Sequence, residues 1–277
     1  MLRHHRGLGQ ETGDLIDLRN IAKAEARQMS SSIRIFPGWS DFLGAAENHW
    51  GMEMTMPSWL DEVHNTKSGR TFIFGSGPSL TSQLPLLGAM KDEETWTVNR
   101  MAHWKDLPFI PVHHVIAEPG PVIDWGRGIN DLYAFPGALN HISIHWTPVT
   151  APNWLWCPKA PDDIQMRWEG FYGLGDSLPP LPTGWASPLT LAQLACWIGF
   201  TEVYFLGIDT TQVGQAWDPA QGRTQQERNI RSILECFDRG RTDMEHAGRT
   251  MVDCTPGGLV NKEGVLPYAE LGDVLAG

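Results

Sequence analysis

Gly75-Ser-Gly-Pro-Ser79 follows four apolar or β-branched residues, Thr71-Phe-Ile-Phe74, and leads into a polar segment able to form a helix. Glycines let backbone N–H groups come close to an anion. A helix opened by Pro78 and Ser79 adds unpaired N–H donors and the positive end of its dipole. The guest such a loop suits is a phosphate or a nucleotide. A side chain at Gly77 is expected to block the guest while leaving the fold intact. Proton transfer needs a carboxylate or an imidazole. Asp209 closes the buried run Glu202-Val-Tyr-Phe-Leu-Gly-Ile-Asp209, Glu118 follows the run at 109–117, and His113 and His114 lie within that run. Asp209 also reads as a cap of the next turn, and either histidine as a sheet residue with its hydrogen bonds met. No metal ligand set is expected: His141 and His145 share one face of a strand without a carboxylate, and Asp162-Asp163 sits in a polar loop.

The elements that must position these groups alternate between strand and helix. Strands are expected at 71–74, 95–99, 109–117, 141–146, 202–209 and 250–254. Helices are expected at 79–90 (shortened or kinked by Pro85), 188–198, 224–237 and 268–275. This alternation predicts an open α/β sheet, mostly parallel, with helices on both faces. In such sheets ligands sit beyond the carboxyl ends of the strands. Gly75–Ser79, Asn99 and Arg100, Glu118, Asp209, and Thr255 to Gly258 (with Gly257) all fall at such ends. Their convergence predicts one site.

Two regions stand outside this pattern. Residues 1–69 read as a helical N-terminal extension, with an amphipathic helix over 14–29 and a methionine cluster at 52–56 that would also suit a partner-docking arm. Residues 148–185 carry many prolines and glycines together with Trp154, Trp156, Trp168, Tyr172 and Trp185. They read as an irregular aromatic lid or insertion that orders on ligand binding. The second domain is expected to run over 70–277.

Composition narrows the classes. With 277 residues, 42% hydrophobic and 19% charged, the chain is globular rather than disordered. A net charge of −11, from 21 basic and 32 acidic residues, gives no general attraction for nucleic acid or an anionic membrane. The 4 cysteines show no C-x-x-C or metal-type spacing, as expected of reduced thiols in a cytoplasm. Neither a signal peptide nor an apolar run of about 18 residues is apparent, so a cytoplasmic protein is expected. The 13 tryptophans suit core packing, and also a cleft for a flat ring or a sugar.

Gly75-Ser-Gly-Pro-Ser-Leu80, Val98-Asn99-Arg100, Val203-Tyr-Phe-Leu-Gly-Ile-Asp209 and Asp253-Cys-Thr-Pro-Gly-Gly-Leu259 together resemble the MptE-like family of 6-hydroxymethylpterin diphosphokinases. The pattern is also similar to bacterial lipooligosaccharide sialyltransferases that use CMP-sialic acid. The resemblance implies a Rossmann-like nucleotide-binding domain. It implies that Gly75, Ser76, Gly77, Pro78, Ser79 and Asn99 hold the nucleotide, with Thr183 and Gly184 flanking the donor. After Asp209 this chain has Thr210 and Thr211 where those sialyltransferases carry tyrosines, and Ser76 stands for their loop asparagine.

The resulting expectation is a nucleotide-dependent transferase, foremost a glycosyltransferase moving a sugar from a CMP-, UDP- or GDP-linked donor to a hydroxyl acceptor. No tightly bound cofactor is expected. The acceptor classes are a glycan, a small molecule, a protein or a hydroxymethylated nucleobase. The alternatives are a diphosphokinase that uses ATP with Mg²⁺ on a hydroxymethyl pterin-type substrate, and a non-catalytic nucleotide-binding module.

Overall fold

The computed structural model describes residues 57–117, 135–145, 154–159, 171–176, 178, 181, 186–210, 214–216 and 227–277. The chain divides into two compact units, Met1–Pro57 and Ser58–Gly277. The fold set out below is that of the second. The helix expected over 14–29 and the methionine cluster at 52–56 lie outside the described residues.

The elements in chain order are α1 (Ser58–Val63), β1 (Arg70–Phe74), α2 (Leu80–Leu87), β2 (Thr95–Val98), β3 (His113–Ile116), β4 (Asn140–His145) and β5 (Trp154–Pro158). They continue with α3 (Ser187–Ile198), β6 (Glu202–Leu206), α4 (Glu227–His246), β7 (Thr250–Asp253), α5 (Leu259–Lys262) and α6 (Leu271–Ala276). The strands form one seven-stranded sheet in the order β5-β4-β3-β2-β1-β6-β7. Every pairing is parallel. This is the Rossmann-like α/β sheet that the alternating pattern predicts. Strand order reverses between β1 and β6, so the crevice beyond their carboxyl ends is the topological switch point.

Both strands that flank the switch point, β1 and β6, are interior strands of the sheet. Phe72, Ile73 and Phe74 on β1 and Val203, Phe205 and Leu206 on β6 are buried, as a parallel sheet covered on both faces requires. Helix α3 is buried all round: every residue from Leu189 to Ile198 is buried, the polar Thr190 and Gln193 included. Its Trp197 indole N–H donates to the Leu60 carbonyl of α1 (2.7 Å). The unit therefore begins with α1, earlier than the boundary expected at 69/70.

Three sequence expectations need correction. Trp154–Pro158 is not part of an irregular lid; it is β5, paired with β4 from His141↔Trp154 to His145↔Pro158. Pro158 is tolerated at the last position of β5, an edge strand of the seven, where its carbonyl still accepts the Leu181 N–H (2.9 Å). Elsewhere in the supposed lid, Phe171, Leu178 and Leu181 are buried, and a Cβ on Gly173 would collide with the Gln193 carbonyl of α3. These parts pack against the core of the unit. Strand β3 covers only 113–116 of the expected 109–117, Pro111 lying just before it. Helix α4 runs on past Phe237 to His246. Its interior Gly240 is explained by packing, since a Cβ there would press on the Phe171 ring at 3.2 Å.

Candidate active site at the β1/β6 switch point

The glycine loop leaves β1 and is clamped at once to the end of β6. The Gly75 N–H donates to the Leu206 carbonyl (2.7 Å) and the Gly77 N–H to the Gly207 carbonyl (2.9 Å). The two chains run so close that a Cβ on Gly75 would collide with the Gly207 carbonyl. A Cβ on Gly77 would collide with the Asp209 carboxylate. Gly207 answers from the other side: it takes a φ of 66°, and a Cβ there would lie 2.7 Å from Leu80 Cγ. The absence of side chains in this loop thus serves contact within the protein, and the expectation that a substitution at Gly77 spares the fold is corrected.

The loop's polar groups converge on Asp209. The Ser79 hydroxyl donates to Asp209 Oδ2 (2.7 Å), and the Ser79 N–H also bonds the carboxylate. The first N–H groups of α2 bond back into the turn: Leu80 to Gly77 (3.3 Å), Thr81 to Pro78 (3.1 Å) and Ser82 to Ser79 (3.1 Å). The Ser79 O–H and N–H, left over from these backbone bonds, form a small cradle for an anion, and the anion they hold is the protein's own carboxylate. Asp209 is 3% exposed. Burial raises its pKa above the ordinary carboxylate value; the Ser79 O–H and N–H and, less strongly, the Lys262 charge oppose that rise.

A second carboxylate lies at the end of the neighbouring strand. Asp253 is fully buried at the end of β7, and its Oδ1 accepts the Thr255 N–H (2.8 Å). Its pKa is pushed up to about 6, chiefly by burial, with the Asp209 charge adding to the rise against hydrogen bonds from Thr255. Thr255 joins the two strand ends: its hydroxyl oxygen accepts the Ile208 N–H (3.1 Å). Asp253 carried no role in the sequence reading. The signal was there, since β6 and β7 each run into an aspartate.

Asn99 supports the wall on the β2 side. Its φ is 52°, a left-handed conformation that asparagine tolerates better than most residues. Its Oδ1 accepts the Ala117 N–H beyond β3 (2.8 Å) and its Nδ2 donates to Ser187 Oγ at the start of α3 (3.2 Å). One carboxamide therefore ties together the ends of β2 and β3 and the start of α3. Ser187 went unnoticed in the sequence, where only the following Pro188 marked a helix start.

The structure brings Gly75, Ser76, Gly77, Pro78, Ser79 and Asp209 together. Asn99 lies at the carboxyl end of β2, followed by exposed Arg100. Thr255, expected at the ligand, is fully buried and clips the ends of β6 and β7 together through its hydroxyl oxygen. Gly257 is exposed in the turn before α5, with a φ of 66°. His113 and His114 are not brought to the loop. His113 opens β3 at its amino end, stacks on Trp96 (3.9 Å between ring centroids) and sets Nε2 3.4 Å from Glu94 Oε2. Asn140 Nδ2 lies 3.2 Å from its Nδ1, an arrangement that leaves the proton on Nε2, toward Glu94. His114 is fully buried, with Nδ1 2.9 Å from Thr97 Oγ1. Glu118, Thr183 and Gly184 lie outside the described residues, as do Trp168 and Trp185. No group of three or more potential metal-binding side chains occurs among the described residues, and no helix among them is long and apolar enough to cross a membrane.

No family model and no curated protein matches the sequence. Among solved structures, the chain is similar to the MAf glycosyltransferase from Magnetospirillum magneticum AMB-1, with 14% identity, a TM-score of 0.51 and 76% of this chain covered. The match spans 35% of that protein's length. A second structure is the sialyltransferase CST-II in complex with a trisaccharide acceptor and CMP, at 13% identity and a TM-score of 0.40, covering 70% of this chain and 84% of that one. The first likeness, at 14% identity, concerns the fold alone.

Proposed function

We propose that the Ser58–Gly277 unit is a nucleotide-dependent transferase, a glycosyltransferase that moves a sugar from a nucleotide-sugar donor to a hydroxyl acceptor. The observation that carries this reading is the meeting of the glycine loop and the Asp209 carboxylate through Ser79 at the β1/β6 switch point. Such a crevice is where open α/β sheets take ligands. A loop that already binds a carboxylate has the donors to bind a phosphate. The motif resemblance to nucleotide-binding transferases and the fold shared with a glycosyltransferase support the same assignment, although fold alone fixes no chemistry.

In this reading the loop residues Gly75–Ser79 hold the donor phosphates and Asn99 shapes the nucleoside side of the crevice. Arg100 and Gly257 are assigned to the approach, and Thr183 and Gly184 to the donor's flank as the resemblance implies. Asp209 takes the proton of the acceptor hydroxyl as that oxygen attacks the sugar carbon and the nucleotide leaves; Glu118 is the second candidate for that role. A carboxylate whose pKa is raised by burial is better matched to this task than an exposed one.

The test is a thermal-shift screen with CMP-, UDP- and GDP-sugars and with ATP, each with and without Mg²⁺, followed by donor hydrolysis assays. A nucleotide-sugar should raise the melting temperature and be turned over slowly without an acceptor. A shift given only by ATP with Mg²⁺ would favour the MptE-like diphosphokinase instead, and binding without turnover of any donor or acceptor would leave a nucleotide-binding module.

A further inference from the structure

The cradle that should receive the donor phosphate is occupied by Asp209, and both cannot hold the same donors. Oδ2 takes the Ser79 hydroxyl at 2.7 Å, and the carboxylate lies where a Gly77 side chain would be. Two like-charged groups would otherwise share a site that is almost closed to water, a strongly unfavourable arrangement. The turn that delivers Asp209 is also strained. Thr210, the next residue, is β-branched and adopts a left-handed φ of 61°, where branched side chains are genuine outliers.

We propose that Asp209 is a carboxylate latch: the donor's phosphate displaces it from Ser79, the Asp209–Thr210 turn relaxes, and the freed carboxylate then faces the acceptor hydroxyl. This deepens the transferase reading above and rests on it. Donor binding and deployment of the base become one event. Without donor the base stays shut in the loop; with donor bound it is free, so slow hydrolysis of the donor by water is expected when no acceptor is present. Ser79 changes partner from a carboxylate oxygen to a phosphate oxygen, keeping a charge-assisted bond in both states. The exchange can therefore be nearly balanced in energy. Release of the Thr210 strain favours the donor-bound state.

Pyrophosphate serves as the probe because it carries the anion without committing to a nucleoside. In calorimetry, Asp209→Asn should bind pyrophosphate at least about tenfold more tightly than the parent, since a neutral occupant gives up the cradle more readily. In the parent protein, carbodiimide labelling of carboxylates read by mass spectrometry should show Asp209 protected when free. Its labelling should increase several-fold at saturating pyrophosphate, with Asp253 unchanged. Equal or weaker binding by Asp209→Asn, or an Asp209 that stays protected with pyrophosphate bound, overturns the latch. Labelling of the parent decides the matter if the variant fails to fold. The two readings fail differently: a parent that binds pyrophosphate without releasing Asp209 loses only the latch. If neither protein binds pyrophosphate or any nucleotide-sugar, the transferase reading is lost as well.

Discussion

Among the described residues, two polar clusters at opposite ends of the sheet, one partly exposed and one buried, are built on opposite principles. At the amino end of β2 and β3, each charged group faces a complement. Lys67 Nζ bonds Glu94 Oε1 at 2.5 Å, His113 faces Glu94 Oε2, and Arg70 bonds Glu93 through Nε and Nη2 (3.1 and 2.5 Å). The Glu94 carboxylate is accordingly held at a pKa of about 2, chiefly by its hydrogen bond with His113. At the carboxyl ends of β6 and β7, two carboxylates lie near each other, and the pKa values of both are raised. A cluster that lowers its carboxylate pKa contributes to stability near neutral pH. One that raises it stores an unfavourable charge, which is how ligand-binding and catalytic sites differ from structural ion pairs. This contrast is the reason the proposed site is set at the β1/β6 crevice rather than at the histidines.

The largest effect should come from Asp209→Asn. The change keeps shape and most hydrogen bonding but removes basicity, so kcat should fall by about 10²–10⁴ once a donor and acceptor are in hand. The melting temperature should barely move. A near-parental rate would pass the role to Glu118.

Gly77→Val tests the packing side of the same loop. Its side chain must enter the space of the Asp209 carboxylate, with the Gly207 carbonyl 2.7 Å from the Cβ position. A loss of roughly 3 kcal/mol in urea unfolding is expected. A fully stable variant that merely lost nucleotide binding would restore the view of Gly77 as a ligand-facing position.

The two clusters should also respond to pH with opposite signs. A carboxylate whose folded pKa is raised contributes stability that is present below its unfolded value and lost as pH climbs through the folded one. For Asp253 that window runs from the ordinary 3.8 to about 6. The parent should therefore lose about 3 kcal/mol from this group between pH 3.5 and 7, and Asp253→Asn should remove that slope. Glu94 is the reverse case. Its folded pKa is depressed from 4.5 to about 2, so its contribution is present above the unfolded value and fades as acid is added. Glu94→Gln should cost about 1–2 kcal/mol at pH 7 and almost nothing near pH 2. His113, whose pKa burial lowers, adds a loss on the acid side in the same direction. Unfolding curves measured across pH for the three proteins check both slopes, and parallel slopes would erase the distinction.

How far the sequence revealed this arrangement depended on whether local pattern or tertiary contact decided each element. The strand–glycine loop–helix unit around Gly75–Ser79 was legible, because turn chemistry and apolar runs are local. So was Asp209 at the end of the β6 run. Strand β5 was not: Trp154-Leu-Trp-Cys-Pro158 lies among prolines and aromatics, and only its pairing with β4 makes it a strand. The far half of α4 was hidden by Gly240 and by charges at Asp238, Arg239 and Arg241. Phe171 packing explains the glycine, and Asp238 and Glu245 both pair with Arg241 (2.8 Å each). His113 and His114 looked close to the carboxyl end because the run at 109–117 read as one long strand. With β3 beginning at His113, both belong to its first half. That Asp209 would fill the loop's cradle could not be read from either segment alone, since it depends on the register of β1 against β6.

Hydrogen exchange with and without the nucleotide-sugar that gives the greatest thermal shift puts the two ends of the sheet against each other in one experiment. Donor binding at the switch point predicts slowed exchange at the amides of 75–80 and at 99–103, with no change at 93–95 or 112–114. Protection around Glu94 and His113, or none at the glycine loop while the donor is bound, would contradict the placement of the site.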